Sequence, residues 1–170
     1  MKIRKVLVAN RGEIAIRILR ACVELKLRTV AVYTFEDRYS LHRYKADESY
    51  QLGKDTEPLK PYLDIEEIIN LALEKNVDAI HPGYGFLSEN EEFARRCREK
   101  GIVFIGPTPE VMAQLGDKVA AKKVAKSCDV PIIESSEKEL VDVKTALAEA
   151  TRIGFPLMLK AASGGGGRGM

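Results

Sequence analysis

Apolar positions fall into short unbroken runs separated by stretches with helical spacing. Val6-Leu7-Val8-Ala9 and Thr29-Val30-Ala31-Val32-Tyr33 lack polar alternation, the pattern of strands covered on both faces. Between them Ile14, Ile18, Cys22 and Leu25 recur at helical spacing, with Arg17, Arg20 and Glu24 on another face. This predicts a β-α-β unit, hence parallel strands joined by a right-handed crossover. The alternation continues with a helix over 63–75, with Asp64 as N-cap and Glu67 three residues on, and a short buried strand over 77–80. Residues 88–101 predict another helix, opened by a Ser88/Glu91 capping box and stopped at Gly101, leading into a fourth apolar strand at 102–106. Strands alternating with helices up to about residue 107 predict a doubly wound, Rossmann-like parallel α/β sheet.

Beyond that point the texture changes. Thr108-Pro109 suits the N-cap and first position of a short helix, and "GDKVAAKKVAKSCDVP" predicts a lysine-rich helix stopped by Pro131. "PII" reads as a strand, 141–154 as a helix closed by Gly154, and "FPLMLKAA" as a strand feeding Gly164–Gly167. The expected division is an α/β domain over 1–116, a helical connector over 117–130, and the opening of a second domain over 131–170. That last stretch has too few elements to close a core, so it reads as truncated.

Composition narrows the function classes. The 170 residues are 45% hydrophobic and 31% charged, an ordinary globular mixture. Lysine plus arginine (27) nearly balance aspartate plus glutamate (25), and neither sign forms a long block, so nothing advertises nucleic acid or an anionic membrane. No apolar run approaches the ~18–20 residues of a membrane span, and the start lacks a signal-peptide core, so the cytoplasm is the expected compartment. Cys22, Cys97 and Cys128 are odd in number and without metal-ligand spacing, which reads as reduced and mostly buried thiols. With two histidines and no tryptophan, chemistry must come from lysines, arginines, carboxylates, backbone amides and bound ligands.

Three segments carry candidate chemistry. Asn10-Arg11-Gly12-Glu13 follows the first strand, where α/β sheets gather ligands, but it has one glycine where a dinucleotide fingerprint needs three. A tight turn with Arg11 and Glu13 solvated fits it equally well. "HPGYGFLSEN" follows the third predicted strand; Gly83 and Gly85 permit close approach of backbone to a ligand, and Tyr84 could stack on a planar ring. A buried aromatic turn, with His81 satisfied by a neighbouring carbonyl, is the alternative. In "LKAASGGGGRGM", Gly164–Gly167 offer exposed amides to an anion, with Lys160 and Arg168 adding charge. It is not a P-loop, and although a terminal glycine run can be an engineered linker, linkers do not grow from a stretch such as "PLMLK". Lys118 opens the lysine-rich helix and, taken alone, is a solvated lysine, as are Lys122, Lys123 and Lys126.

Taken in order, "VLVANRGEIAIRILRAC", "HPGYGFLSENEEFA", "FIGP", "GDKVAAKK" and "KAASGGGGRGM" resemble the N-terminal part of the biotin carboxylase domain of biotin-dependent carboxylases. Within that family "LHRYKADESYQLG", "PYLDIEEII" and the glycine loop look most like the pyruvate carboxylase branch, with acetyl-CoA and other acyl-CoA carboxylases as the alternative. The resemblance implies an ATP-grasp ligase in which ATP and bicarbonate give carboxyphosphate, which then carboxylates carrier-bound biotin. It assigns Lys118, Lys160, Gly164, Gly165, Gly166, Gly167 and Arg168 to ATP, and Tyr84 and Gly85 to biotin. Arg20 and Glu24 go to a subunit interface of a homo-oligomer. It implies that the partners are a biotin carboxyl carrier domain and the remainder of the carboxylase. It also puts the Mg²⁺ ligands, the bicarbonate-anchoring arginine and the catalytic base beyond Met170, so this chain alone should not turn over. "VPIIESSEKELVD" departs from the family's Pro-Gly-containing segment, which puts the shape of that loop in doubt. A different class of reading is a self-contained dimerisation or binding module using the Arg17/Arg20/Glu24 face.

Overall fold

Strand β1 (Lys5–Val8) lies at the centre of a five-stranded sheet ordered β3-β2-β1-β4-β5, with every neighbouring pair parallel. This computed structural model describes residues 2–160 except Thr56, Asp117 and 137–139; the side chains of Lys118 and Val119 also lie outside the description. Helix α1 (Gly12–Glu24) leads to β2 (Arg28–Tyr33), a 3₁₀ turn at Phe35–Asp37, the short α2 (Leu41–Lys45) and β3 (Glu48–Gln51). After a second 3₁₀ turn at Lys60–Leu63 come α3 (Ile65–Glu74), β4 (Ala79–His81), α4 (Glu91–Glu99) and β5 (Val103–Phe104).

The unbroken apolar runs are explained by packing on both faces. Leu7, Val30, Val32 and Ile80 join Ile68, Ile69, Phe93 and Cys97 from α3 and α4 in the main core. Val6 and Val8 turn the other way, onto Cys22, Ala15 and Leu19 of α1. The doubly wound sheet is therefore as the sequence predicts, with one more strand than it predicts. β3 is a half-exposed edge of mostly polar residues, and Glu48 within it holds Lys5 at 2.8 Å and Arg28 at 3.1 Å. An edge strand needs no apolar run, so periodicity does not find it.

Helix starts are mostly where the sequence puts them. Asp64 caps α3 by accepting from the Glu67 amide at 2.9 Å, while the Glu67 carboxylate accepts from the Gly53 amide at 2.7 Å. The Ser88/Glu91 box does not form. Turn hydrogen bonds from Ser88 N to Gly85 O and from Asn90 N to Leu87 O keep the chain non-helical through Asn90. The cap is instead Asn90, whose Oδ1 accepts from the Phe93 amide at 2.8 Å.

The chain divides into two compact units, Met1–Ala113 and Gln114–Met170. Helix α5 (Pro109–Gly116) runs across that division in sequence. The second unit carries α6 (Lys118–Ser127) and α7 (Val143–Ile153), the latter capped by Asp142, which accepts from the Thr145 amide at 2.7 Å. The strands predicted at "PII" and "FPLMLKAA" are not formed among the described residues: 131–136 and 155–160 have no pairing partner, and Ile133 and Phe155 stand exposed. Cys22 and Cys97 are buried and Cys128 is exposed, so the thiols are mostly buried, as the sequence predicts. Burial pushes the Cys97 thiol up to about 12 and the Cys22 thiol upward, which keeps both unreactive.

Candidate functional site

From β1 the chain winds one way through β2 and β3, and β4 and β5 lie on the other side. The helices that follow β1 and β4 pack on opposite faces of the sheet, which makes the carboxyl ends of these strands the switch-point crevice where such sheets bind ligands.

The β4 side of this crevice is the loop 82–90. Gly83 and Gly85 adopt φ of +68° and +72°, backbone that side chains resist, so both glycines are required by the turn. A Cβ on Gly83 would lie 2.7 Å from the Asn10 carboxamide nitrogen, whereas one on Gly85 would meet nothing within 4 Å. Gly85 thus leaves open space beside Tyr84, which is 66% exposed and donates its hydroxyl proton to Glu13 at 3.3 Å. Next to them Phe86 stacks on Tyr62 with ring centroids 5.1 Å apart. His81 does not point its chemistry at solvent: Nδ1 accepts from the Gly83 amide at 3.0 Å, and burial lowers its pKa, so the ring is neutral and structural. It is satisfied by an amide rather than by the carbonyl considered from sequence.

On the β2 side the same turn is closed by a polar cluster. Asp37 is buried and accepts from four donors: Arg11 Nε and Nη2 at 2.5 Å each, Tyr62 Oη at 2.7 Å and Ser40 Oγ at 2.9 Å. Burial alone would raise the Asp37 carboxyl, yet the hydrogen bonds from Arg11, Tyr62 and Ser40 together outweigh it and hold the group at about 2. Burial and the bond to Asp37 push the Tyr62 phenol upward. His42, fully buried, contacts Val32 O through Nε2 at 3.1 Å and accepts from the Gly12 amide through Nδ1 at 3.3 Å; burial lowers its pKa and keeps it neutral. Among the described residues no buried side-chain nitrogen or oxygen lacks a partner.

Arg11 is thus engaged, not simply solvated. Asp37, Tyr62 and His42 are absent from the sequence reading, because a carboxylate, a phenol and an imidazole far apart along the chain carry no spacing signal. From the sequence Asn10 is no more than a turn residue; its position directly after an apolar strand is the one clue to its burial.

The remaining predicted residues are elsewhere. Arg20 and Glu24 are exposed on α1, with Val23 and Leu25 exposed beside them. In the second unit, Lys118 is the first residue of α6 and Lys160 is exposed outside any regular element. Gly164, Gly165, Gly166, Gly167 and Arg168 lie outside the described residues. No group of three or more metal-ligating side chains occurs among the described residues, and no helix there is long and apolar enough to cross a membrane.

The family model described as biotin carboxylase, N-terminal domain, matches residues 2–112, and that of the carbamoyl-phosphate synthase L chain, ATP binding domain, matches 117–170. Pyruvate carboxylase of Staphylococcus aureus is 59% identical over 169 residues, covering 99% of this chain and 15% of that protein. The mitochondrial pyruvate carboxylase of Homo sapiens is 51% identical over 168 residues, covering 99% and 14%. Among solved structures, the biotin carboxylase domain dimer of Hydrogenobacter thermophilus 2-oxoglutarate carboxylase, in complex with MgADP, ADP and bicarbonate, gives a TM-score of 0.93 at 52% identity. It covers 99% of this chain and 37% of that one. Rhizobium etli pyruvate carboxylase T882A with acetyl coenzyme A gives 0.89 at 50% identity, covering 99% and 15%. The chain spans about 15% of the length of the curated relatives it matches.

Proposed function

The chain belongs to the biotin carboxylase N-terminal domain family, and we propose that it forms the front part of a biotin carboxylase within a longer pyruvate carboxylase. The observation that carries this reading is identity of 51–59% to pyruvate carboxylases across 98% or more of the chain, which takes in the crevice and the ATP-binding family match together. In the proposed reaction the γ-phosphoryl group of ATP passes to a bicarbonate oxygen and ADP departs. The carboxyphosphate then gives its carboxyl group to N1 of a carrier-bound biotin, N1 loses its proton, and phosphate leaves. Bicarbonate is a poor electrophile, and phosphorylation supplies the missing leaving group. Charge neutralisation and positioning dominate such phosphoryl transfers.

Tyr84 and Gly85 are assigned to biotin: an exposed ring beside an open glycine offers the flat ureido ring of that ligand a stacking face and room. Lys118, Lys160, Gly164–Gly167 and Arg168 are assigned to the ATP phosphates, and Mg²⁺ to ligands outside this chain. Arg20 and Glu24 are assigned to an interface with a second copy, where exposed Val23 and Leu25 add apolar surface. The remaining partners are the carrier domain and the rest of the carboxylase, in the cytoplasm. The likeness to the 2-oxoglutarate carboxylase domain favours a second acceptor, 2-oxoglutarate in place of pyruvate, with the biotin chemistry unchanged.

Calorimetry with ATP on this 170-residue chain and on the full-length carboxylase, each with and without Lys160→Ala, tests the reading. A near-silent short chain and a Lys160-dependent signal in the long one are expected, and tight binding by the short chain overturns the division of labour. Fixing labelled bicarbonate into pyruvate, 2-oxoglutarate or acetyl-CoA identifies the acceptor.

A further inference from the structure

The loop assigned to biotin is held from beneath by one buried side chain. Asn10 is fully buried, and each polar atom of its carboxamide is used. Nδ2 donates to the carbonyls of Pro82 at 2.7 Å and Tyr84 at 3.0 Å, and Oδ1 accepts from the Arg11 amide at 2.8 Å. The two carbonyls bracket Gly83, whose absent side chain is what lets the carboxamide in: a Cβ there would sit 2.7 Å from both Asn10 Nδ2 and Ile14 Cγ2. Above this contact the backbone is in left-handed geometry at Gly83, Gly85 and Phe86, and Phe86 has a φ of +42°. A non-glycine residue in that conformation is strained, so the turn persists only if neighbouring contacts impose it. Stacking of Phe86 on Tyr62 supplies one such contact, and Asn10 supplies the other.

We propose that Asn10 is a positioning residue for the biotin site, its carboxamide gripping the Pro82 and Tyr84 carbonyls so that the Tyr84 ring and the opening at Gly85 stay aimed at the crevice. The inference rests on the assignment of that loop to biotin. Only a primary carboxamide has two N–H donors and one acceptor in this fork. Aspartate would set a second oxygen against two carbonyl oxygens, glutamine would add a methylene where Gly83 is already at contact, and alanine would leave both carbonyls without their donor. Asn10 does not touch the ligand; it determines the conformation of the residues that would.

The test uses the full-length carboxylase and reads bicarbonate-dependent ATP cleavage against free biotin and against ATP, alongside amide hydrogen exchange. For Asn10→Ala the KM for free biotin should rise about tenfold, with kcat and the KM for ATP within about twofold, because a misplaced binding loop weakens ground-state binding of one substrate. Exchange over 82–88 should speed up while β1 stays protected. Gly83→Ala presses on the same contact from the loop side and should reproduce the biotin effect, and it decides the matter if Asn10→Ala does not fold. An unchanged biotin KM in a loosened loop overturns the proposal, and so does an equal loss in both substrates together with β1 protection. Tyr84→Ala and Gly85→Ala separate the two levels. If they too leave the biotin KM unmoved, the biotin assignment itself fails; if they raise it while Asn10→Ala and Gly83→Ala do not, only the clamp fails.

Discussion

On its β2 flank the turn after β1 ends in a buried carboxylate with four donors, an ion pair and a neutral buried imidazole. On its β4 flank, a few residues away, it ends in a tyrosine two-thirds exposed and a glycine on which a Cβ would meet nothing within 4 Å. Burying charge is unfavourable unless every lone pair and proton is matched, and the β2 flank meets that condition with four donor atoms from three residues, Arg11, Ser40 and Tyr62. The β4 flank spends its polar groups on backbone instead, and leaves the ring face and the space beside it free. One side of the strand end gives rigidity, and the other gives access. The lesson is that a ligand site can be stiff without being enclosed, provided its immobility is built next door.

That contrast can be broken most severely at Asp37. Asp37→Ala removes the common acceptor of Arg11, Tyr62 and Ser40 and should lower unfolding stability by about 3 kcal/mol in a urea titration, less than a fully enclosed pair because Arg11 is partly solvated. Acid should erode the same flank. The Asp37 carboxyl is depressed in the folded state, from 3.8 to about 2, so its contribution is complete above about pH 4 and is lost as pH falls through about 2. The loss amounts to about 2 kcal/mol, read from denaturation midpoints across that range. His42 acts in the same direction from higher pH: neutral in the fold, it favours unfolding once an ordinary imidazole would protonate, near 6.5. Tyr62→Phe keeps the stack on Phe86 and removes one of Asp37's donors, with an expected loss of about 1.5 kcal/mol by the same titration. Tyr84→Phe, on the open flank, should change stability by less than about 0.5 kcal/mol, because its hydroxyl contact is exposed. A large stability loss there, or a small one at Asp37, would erase the distinction between the flanks.

How far the sequence alone reaches follows the same line. Continuous apolar runs betray the interior strands, since only burial on both faces selects them, and Asp64 is a legible cap because its partner is three residues away. The edge strand Glu48–Gln51 is paired through backbone groups and carries mixed polarity, so it leaves no period. At the crevice the glycines and Tyr84 are visible as an unusual local cluster. What supports them is not: Asn10 reaches across 72 residues to Pro82, and Asp37 meets Tyr62 across 25, distances over which residue type says nothing about proximity. In the second unit the missing signal is a partner, for "PII" and "FPL" have strand-like composition and no strand beside them among the described residues.

Asn10 and Arg11 are consecutive, yet the first serves β4's loop and the second serves the turn after β2. The turn is therefore locked in length as well as in composition. Inserting one residue before Asn10 would carry its carboxamide to the place that faces the Asp37 carboxylate, and deleting one would carry the guanidinium to the place that faces the Pro82 and Tyr84 carbonyls; either change disables the clamp and the ion pair in one step. Substitutions at either position act on one flank; an insertion acts on both, and no compensating change at a single distant site could restore them.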